Sequence, residues 1–177
     1  MRASVFCGVS LDGFIARPDG SVDFLDGHGD VEGDMGFSAF LDSVDCMVMG
    51  RNTYDFVVAS GAEWHYGDTP VFVLTTRSLG GPSPEGATVE PLQLGPEETM
   101  ERLGATGFTH AYVDGGVVVQ QFLAAGLIDE LILTRVPVLI GEGIALTAPG
   151  AGDVSLAHEG TEVFGNGFVQ SRYIVRR

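Results

Sequence analysis

The sequence predicts an α/β domain of three layers, with a mainly parallel central sheet and a C-terminal antiparallel β-hairpin. Apolar, β-branched runs alternate with helical stretches as far as about residue 140, the pattern of parallel βαβ units. The tail EVFGNGFVQSRYIVRR carries two alternating runs about Gly165-Asn166-Gly167, which reads as a hairpin. Composition supports one folded unit over 1–177: the 177 residues are 45% hydrophobic and 19% charged, and no repeat, linker or low-complexity tract divides them.

The elements follow in order. SVFCGV, 4–9, is the first strand. DMGFSAFLDSV, 34–44, spaces Met35, Phe37, Phe40 and Leu41 as a helix would. CMVM is the next strand, and NTYDFVVAS, 52–60, a short helix closed by Gly61. PVFVLTT, 70–76, is a strand; PEETMERLGATG, 96–107, opens with proline and acids as a helix N-terminus does. HAYVDGG, 110–116, runs as a strand into two glycines, VVVQQFLAAG, 117–126, is a helix ended by Gly126, and DELILTRVPVLI, 129–140, is a long strand.

The formal net charge is -15, and all nine basic residues are arginine. That balance excludes nucleic acid and anionic membrane as main partners, so an anionic ligand has to be gripped locally. Cys7 and Cys46 lie in apolar strands and read as free thiols of a reducing compartment. The N-terminus has no signal-like apolar core, and no stretch approaches the ~20 apolar residues of a membrane span. The expectation is a soluble, cytoplasmic protein.

In an open α/β sheet, ligands bind beyond the carboxyl ends of the strands. Three ends here suit a phosphorylated nucleotide: Gly50-Arg51-Asn52-Thr53, Thr75-Thr76-Arg77, and Asp114-Gly115-Gly116 opening the helix that carries Val117, Val118 and Gln121. A glycine pair lets backbone N–H groups approach an anion at a helix start, although alone it also fits a plain turn. Thr53 adds a hydroxyl in the first turn. Arg51 and Arg77 would supply full charges to a 2′-phosphate, although Arg51 alone also fits a surface ion pair. No GxGxxG follows the first strand. Gly13-Phe14-Ile15-Ala16 stands there instead, apolar and tight, suited to a nicotinamide ring.

SLDGFIA, VMGRNTYD, VFVLTTR, YVDGGVVVQQFL and LILTRVPVLIGEG occur in the order and approximate spacing of the dihydrofolate reductase superfamily, and the chain resembles it over nearly its whole length. The resemblance implies a dihydrofolate reductase-like fold with a sheet of about eight strands, NADPH as cofactor, and a homodimer. By position, Ile15 and Ala16 resemble the nicotinamide contacts. Arg51, Thr53, Gly115, Gly116, Val117 and Val118 resemble the phosphate contacts, and Thr76 and Arg77 the 2′-phosphate site.

The family's acid lies on the helix ahead of the Met-Gly-Arg motif, where Asp34 stands sixteen residues before Gly50. Asp34 reads equally as a catalytic carboxyl or as a helix cap. Thr134 reads either as its partner across the cleft or as an ordinary strand threonine. HYGDTPVFVL lacks the arginine that holds a folate tail, and the loop DGSVDFLDGHGDVEGD lacks the usual Pro-Trp, which argues against folate. PVLIGEG is similar instead to the RibD C-terminal reductase of riboflavin biosynthesis, which reduces a phosphorylated ribosylaminopyrimidine.

The expected function is therefore NADPH-dependent hydride transfer to a C=N or C=O of a small heterocyclic substrate. A genuine dihydrofolate reductase and a non-catalytic NADP-binding protein are the alternatives. Asp23, Asp26, His28, Asp30, Glu32 and Asp34 match no metal spacing and read as a solvated lid. His65, His110 and His158 pair with no nucleophile motif, and Tyr54, Phe56 and Trp64 read as core or cleft wall.

Overall fold

The first strand takes the middle of the sheet, because it is apolar on both sides. A computed structural model describes residues 1–29, 33–60, 64, 66–81 and 83–177. In it β1 (Arg2–Ser10) buries Ala3, Val5 and Val9 completely or nearly so. It pairs in parallel with β6 (His110–Asp114) on one side and β7 (Glu130–Val136) on the other. Beyond β6 lie β3 (Cys46–Gly50), β4 (Val71–Leu74) and β5 (Val89–Leu92), all parallel. Beyond β7 the hairpin adds β10 (Val169–Val175) and then β9 (Leu156–Val163), both antiparallel. The order β5-β4-β3-β6-β1-β7-β10-β9 makes an eight-stranded sheet. A second, two-stranded sheet joins β2 (Phe14–Ala16) to β8 (Ile144–Ala145).

The helices lie on opposite faces of the sheet. On one face α3 (Pro96–Ala105) and α4 (Gly116–Ala124) cover Val5, Val48, Val113 and Leu133 with Met100, Leu103, Val119 and Phe122. On the other, α1 (Phe37–Leu41) and α2 (Arg51–Ala59) bring Phe40 and Tyr54 against Met47, Met49, Val73 and Tyr112.

The amino ends of the strands are tied by charge. Asp129 accepts the Ala3 N–H at 2.8 Å, and Asp45 accepts those of Thr109 at 2.8 Å and His110 at 3.0 Å. Glu130, fully buried, takes the Ser4 hydroxyl at 3.0 Å and ion pairs from Arg172 and Arg2. With that end stitched shut, the carboxyl ends are left to form a site.

Three expectations change at element boundaries. The long strand stops at Val136 rather than 140, since Pro137 has no N–H to donate and Val138 turns back onto the Val136 carbonyl at 2.8 Å. The helix expected over 34–44 contracts to Phe37–Leu41, because Met35 and Gly36 adopt φ of 55° and 81°, outside the helical region. Strands β2, β5 and β8 are too short to announce themselves by periodicity; β5 carries Pro91, which an edge strand tolerates. Gly61 lies outside the described residues, as do Asp30, Glu32 and His65.

Phe122 has no exposed surface and sits between α4 and the sheet. Phe122→Ala is expected to lower unfolding free energy by about 3–5 kcal/mol, read from the midpoint of urea denaturation.

Candidate functional site

The three strand ends singled out in the sequence lie side by side. β4, β3 and β6 are consecutive in the sheet, and each ends at its carboxyl edge in one of the three motifs. α2 starts at Arg51 directly after Gly50, and α4 starts at Gly116 directly after Gly115. Neither helix start receives a side-chain cap or an acidic residue in its first turn, so first-turn N–H groups face the groove unclaimed by side chains.

Gly115 and Gly116 are where these pieces meet. Gly115 has φ +90°, and a Cβ there would overlap the Thr53 hydroxyl and stand 3.6 Å from the Gly50 nitrogen. A Cβ on Gly116 would run into Ile144 and lie 3.2 Å from Ile15 Cδ1. The same two residues thus join the groove over β3 and β6 to the β2–β8 sheet, which carries Ile15 and Ala16, both nearly buried. Val118 points inward, 3.1 Å from where a Gly50 Cβ would be, while Asn52, Val117 and Gln121 are exposed along the outer faces of their helices.

The two arginines differ. Arg51 is mostly spent inside the protein: Nε donates to Asp55 Oδ1 at 2.6 Å, Nη2 to the Leu79 carbonyl at 3.0 Å, and Nη1 to the Ser78 carbonyl. It clamps the loop that follows β4 onto α2. Arg77 sits on that loop, exposed, and its guanidinium has no partner among the described residues. Thr75 shapes the turn, its Oγ1 accepting the Arg77 N–H at 3.0 Å, and Thr76 is exposed beside it. Arg51 therefore positions the loop, and Arg77 offers the free charge.

The opposite wall lies on the α1 side of the sheet. Asp34 is exposed, and its two oxygens accept the N–H of Gly36 at 3.0 Å and of Ser38 at 2.7 Å. The Ser38 hydroxyl and these N–H groups hold its carboxyl below the usual range. That geometry ties Asp34 to the first turn of α1, whose N-cap is Gly36, and keeps the carboxyl ionised. Thr134 is buried, and Gln170 connects it to the Asp34 segment: Nε2 donates to Thr134 Oγ1 at 3.0 Å and to the Met35 carbonyl at 3.1 Å.

The carboxyl suited to carrying a proton is Asp114, which closes β6 on the Tyr112 side of the sheet. Burial pushes it up to about 6, against an opposing hydrogen bond from the Gly115 N–H. Its charge also acts on Cys7, Tyr66 and Tyr112, whose pKa values rise chiefly through burial.

The acidic loop is partly folded down. Phe24 is buried, and Leu25 packs where a Cβ on Gly8 would be. Among the described residues no group of histidine, cysteine or carboxylate side chains could hold a metal. Tyr54 is core, whereas Phe56 is exposed on α2. Concavities of about 340 and 270 Å³ lie elsewhere, beside the α4 C-terminus and beside α3.

Residues 56–170 match the family model of the RibD C-terminal domain. The chain belongs to the RibD C-terminal domain family. It is 35% identical over 175 residues to the uncharacterized protein YwjB of Bacillus subtilis strain 168, covering 98% of this chain and 97% of that one. A solved structure assigned to riboflavin biosynthesis, from Shewanella sp. PV-4, superposes with a TM-score of 0.84 at 36% identity over 100% of both chains. Enterococcus faecalis dihydrofolate reductase, complexed with NADP(H), shares the fold: TM-score 0.60, 14% identity, 99% of this chain and 97% of that one. No helix among the described residues of this RibD C-terminal domain is long and apolar enough to cross a membrane.

Two site residues of this family member escaped the sequence reading. Asp12 accepts the Ser10 hydroxyl at 2.6 Å and the N–H groups of Ile140 at 3.2 Å and Gly141 at 2.8 Å, fastening the β1–β2 turn to the segment before β8. The Ile140 and Gly141 partners of Asp12 and the Met35 partner of Gln170 are more than a hundred residues away in the chain, so no local pattern marks these contacts. Gly115→Ala is expected to cost about 1–3 kcal/mol from its left-handed backbone, read from the midpoint of urea denaturation. Thr53→Ala in the same chain relieves the overlap but not the backbone strain, so the melting temperature recovers only in part.

Proposed function

We propose that this protein is an NADPH-dependent reductase acting on a C=N or C=O of a small heterocycle of the aminopyrimidine or pterin kind. The observation that carries this reading is the convergence on three adjacent strand ends of two helix starts without side-chain caps and one arginine, Arg77, unpaired among the described residues. A dinucleotide laid across those ends finds N–H groups at Gly115 and Gly116 and a hydroxyl at Thr53 for its diphosphate. Arg77 meets a 2′-phosphate, and Ile15 with Ala16 presents apolar surface and backbone to a nicotinamide. NADPH, when bound, supplies the hydride; alignment by these residues provides most of the rate gain.

The protein's own part in the chemistry is the proton. Asp114 sits at the junction of the groove and the aromatic wall, and near neutral pH it is partly protonated. It therefore donates to the substrate heteroatom, while Asp34, ionised, holds the start of α1 through the Ser38 N–H. Gln170 and Thr134 keep that segment against β7.

The cofactor assignment is tested by NADPH and NADH titrations followed by calorimetry and thermal shift. Arg77→Ala is expected to weaken NADPH by about tenfold or more, as loss of a charge-assisted phosphate contact does, and to leave NADH nearly unchanged. Arg51→Ala, which frees the whole loop, should weaken both. Equal loss of the two cofactors in Arg77→Ala would remove the 2′-phosphate role, and absence of any NADPH protection would remove the function.

The proton assignment has its own pH signature. A carboxyl raised from 3.8 to about 6 on folding contributes stability that is complete below 3.8 and lost as pH rises through about 6. The wild-type stability should accordingly fall across that window by about 2–3 kcal/mol, and Asp114→Asn should flatten the slope. Turnover should decline above pH 6, with Asp114→Asn slower by about a hundredfold or more and no longer sensitive to that pH change. An unchanged pH–rate profile in the variant would rule Asp114 out as the donor.

A further inference from the structure

The amino edge of the sheet holds a chain of polar side chains that the groove does not use. Ser4 on β1, wholly buried, stands between His110 at the start of β6 and Glu130 at the start of β7. Its Oγ lies 2.7 Å from His110 Nε2 and 3.0 Å from Glu130 Oε2. Glu130 also takes the Arg172 guanidinium on Oε1 and that of Arg2 on Oε2 at 3.4 Å. The other ring nitrogen of His110, Nδ1, lies 2.8 Å from the Ser43 carbonyl. Asp45 accepts the His110 backbone N–H at 3.0 Å and both donors of Thr109, and its charge acts on the Cys46 thiol. Beside Ser4, Asp129 accepts the Ala3 N–H and pairs with Arg177 at 2.7 Å.

The number of hydrogens available decides the state of the ring. The Ser43 carbonyl only accepts, so Nδ1 carries a hydrogen. Glu130, set against two guanidiniums, also accepts, so the single hydroxyl hydrogen of Ser4 points to Oε2. Oγ then presents a lone pair to Nε2, and their 2.7 Å contact is a hydrogen bond only if Nε2 carries a hydrogen as well. With Nε2 bare, either two lone pairs face each other or the hydroxyl turns to the ring and leaves Oγ against a carboxylate oxygen. One of the two bonds fails in both cases.

We propose that His110 is a proton-dependent latch: as the imidazolium it fastens β6 through Ser4 to Glu130, and loss of the Nε2 proton unfastens the seam. Its place in the sheet gives the latch weight. The ladder between β1 and β6 runs only from Arg2 to Ser4, whereas that between β1 and β7 runs from Ser4 to Ser10. The Ser4–His110 bond sits at the last rung of the shorter ladder, where β1 and β6 part on the way to the carboxyl edge. Above that point the Phe6 carbonyl is taken by the Tyr112 phenol at 2.9 Å. The pair is not a nucleophilic site, since Ser4 has no exposed surface.

The test uses the full chain labelled with 15N and the His110 ring assigned through bonds to its own backbone. At pH 7.5 a free histidine has given up its second ring proton. His110 is expected to keep hydrogen on both nitrogens there. Ser4→Ala retains the ring but removes the oxygen that Nε2 serves, and should return it to one ring proton at the same pH. Urea unfolding between pH 6 and 8.5 reads the consequence. The fold binds the protonated ring, so this stability is complete at the acid end and lost as pH rises. Across that interval the unfolding constant of the wild type is expected to grow about tenfold more than that of His110→Gln, the worth of one charged hydrogen bond. Should a variant fail to fold, the wild-type ring spectrum decides. A bare ring nitrogen in the wild type at pH 7.5, a doubly protonated ring in Ser4→Ala, or equal pH slopes in wild type and His110→Gln would each overturn the proposal.

Discussion

The site depends on the absence of two side chains. At Gly115 and Gly116 the chain passes from β6 into α4 with the Thr53 hydroxyl, the Gly50 nitrogen, Ile15 and Ile144 crowded around it. Any Cβ there would push apart the β3–α2 turn or the β2–β8 sheet, and the groove between them would lose its floor. Thr53 can reach over the strand end only because Gly115 presents hydrogen, and Ile15 can lie against the helix start only because Gly116 does. The positive φ of Gly115 then turns the following N–H groups toward solvent, where a helix start is most useful to an anion. Steric vacancy and electrostatic opportunity are set by the same pair of residues.

A protein of net charge -15 has to solve anion binding without a general positive field. It does so by sorting its arginines. Arg2 and Arg172 neutralise buried Glu130, Arg102 pairs with Glu90, Arg17 with Asp23 and Arg177 with Asp129. Arg51 is spent on Asp55 and two carbonyls. What remains for a ligand on the strand-end groove is Arg77, supported by peptide dipoles. Attraction of this kind is short-ranged and directional, which favours a ligand that fits over any polyanion that merely passes.

Much of this was legible in the sequence, and the reasons are physical. VMGRNTYD and DGGVVVQQFL each combine a buried strand, a forced turn and a helix start within a dozen residues, so local chemistry fixes them. The same is true of the βαβ alternation and of the terminal Gly-Asn-Gly hairpin. The ion-pair alternative for Arg51 was visible, since Asp55 stands four residues on, but its bonds to Ser78 and Leu79 were not, because backbone carbonyls carry no residue code. Asp34 was legible as two alternatives; its bonds to the Gly36 and Ser38 N–H groups, made from two residues before the N-cap, follow from the left-handed Met35 and Gly36, which spacing does not show. Trp64 reads as wall from its type, and only the packing shows that its N–H lacks an acceptor among the described residues. Gln170 and Asp12 are invisible for a simpler reason: each acts across the sheet on a segment remote in the chain.

That remoteness shapes how the molecule comes to exist. β1 is the first strand to be made, yet its parallel neighbours begin at residues 110 and 130, and the Asp12 clasp closes on residues 140 and 141. Contacts of such long sequence separation carry a large loop-closure cost and form late, so folding should be slow relative to chains of this size built from local contacts. The stretch 56–170 that carries the family match leaves out β1, β2 and β3, which supply the middle of the sheet and the Ile15–Ala16 surface. A fragment cut at that boundary would expose the flanks of β6 and β7 as open edges. The groove is thus the final product of assembly, completed only when the two ends of the polypeptide have found each other.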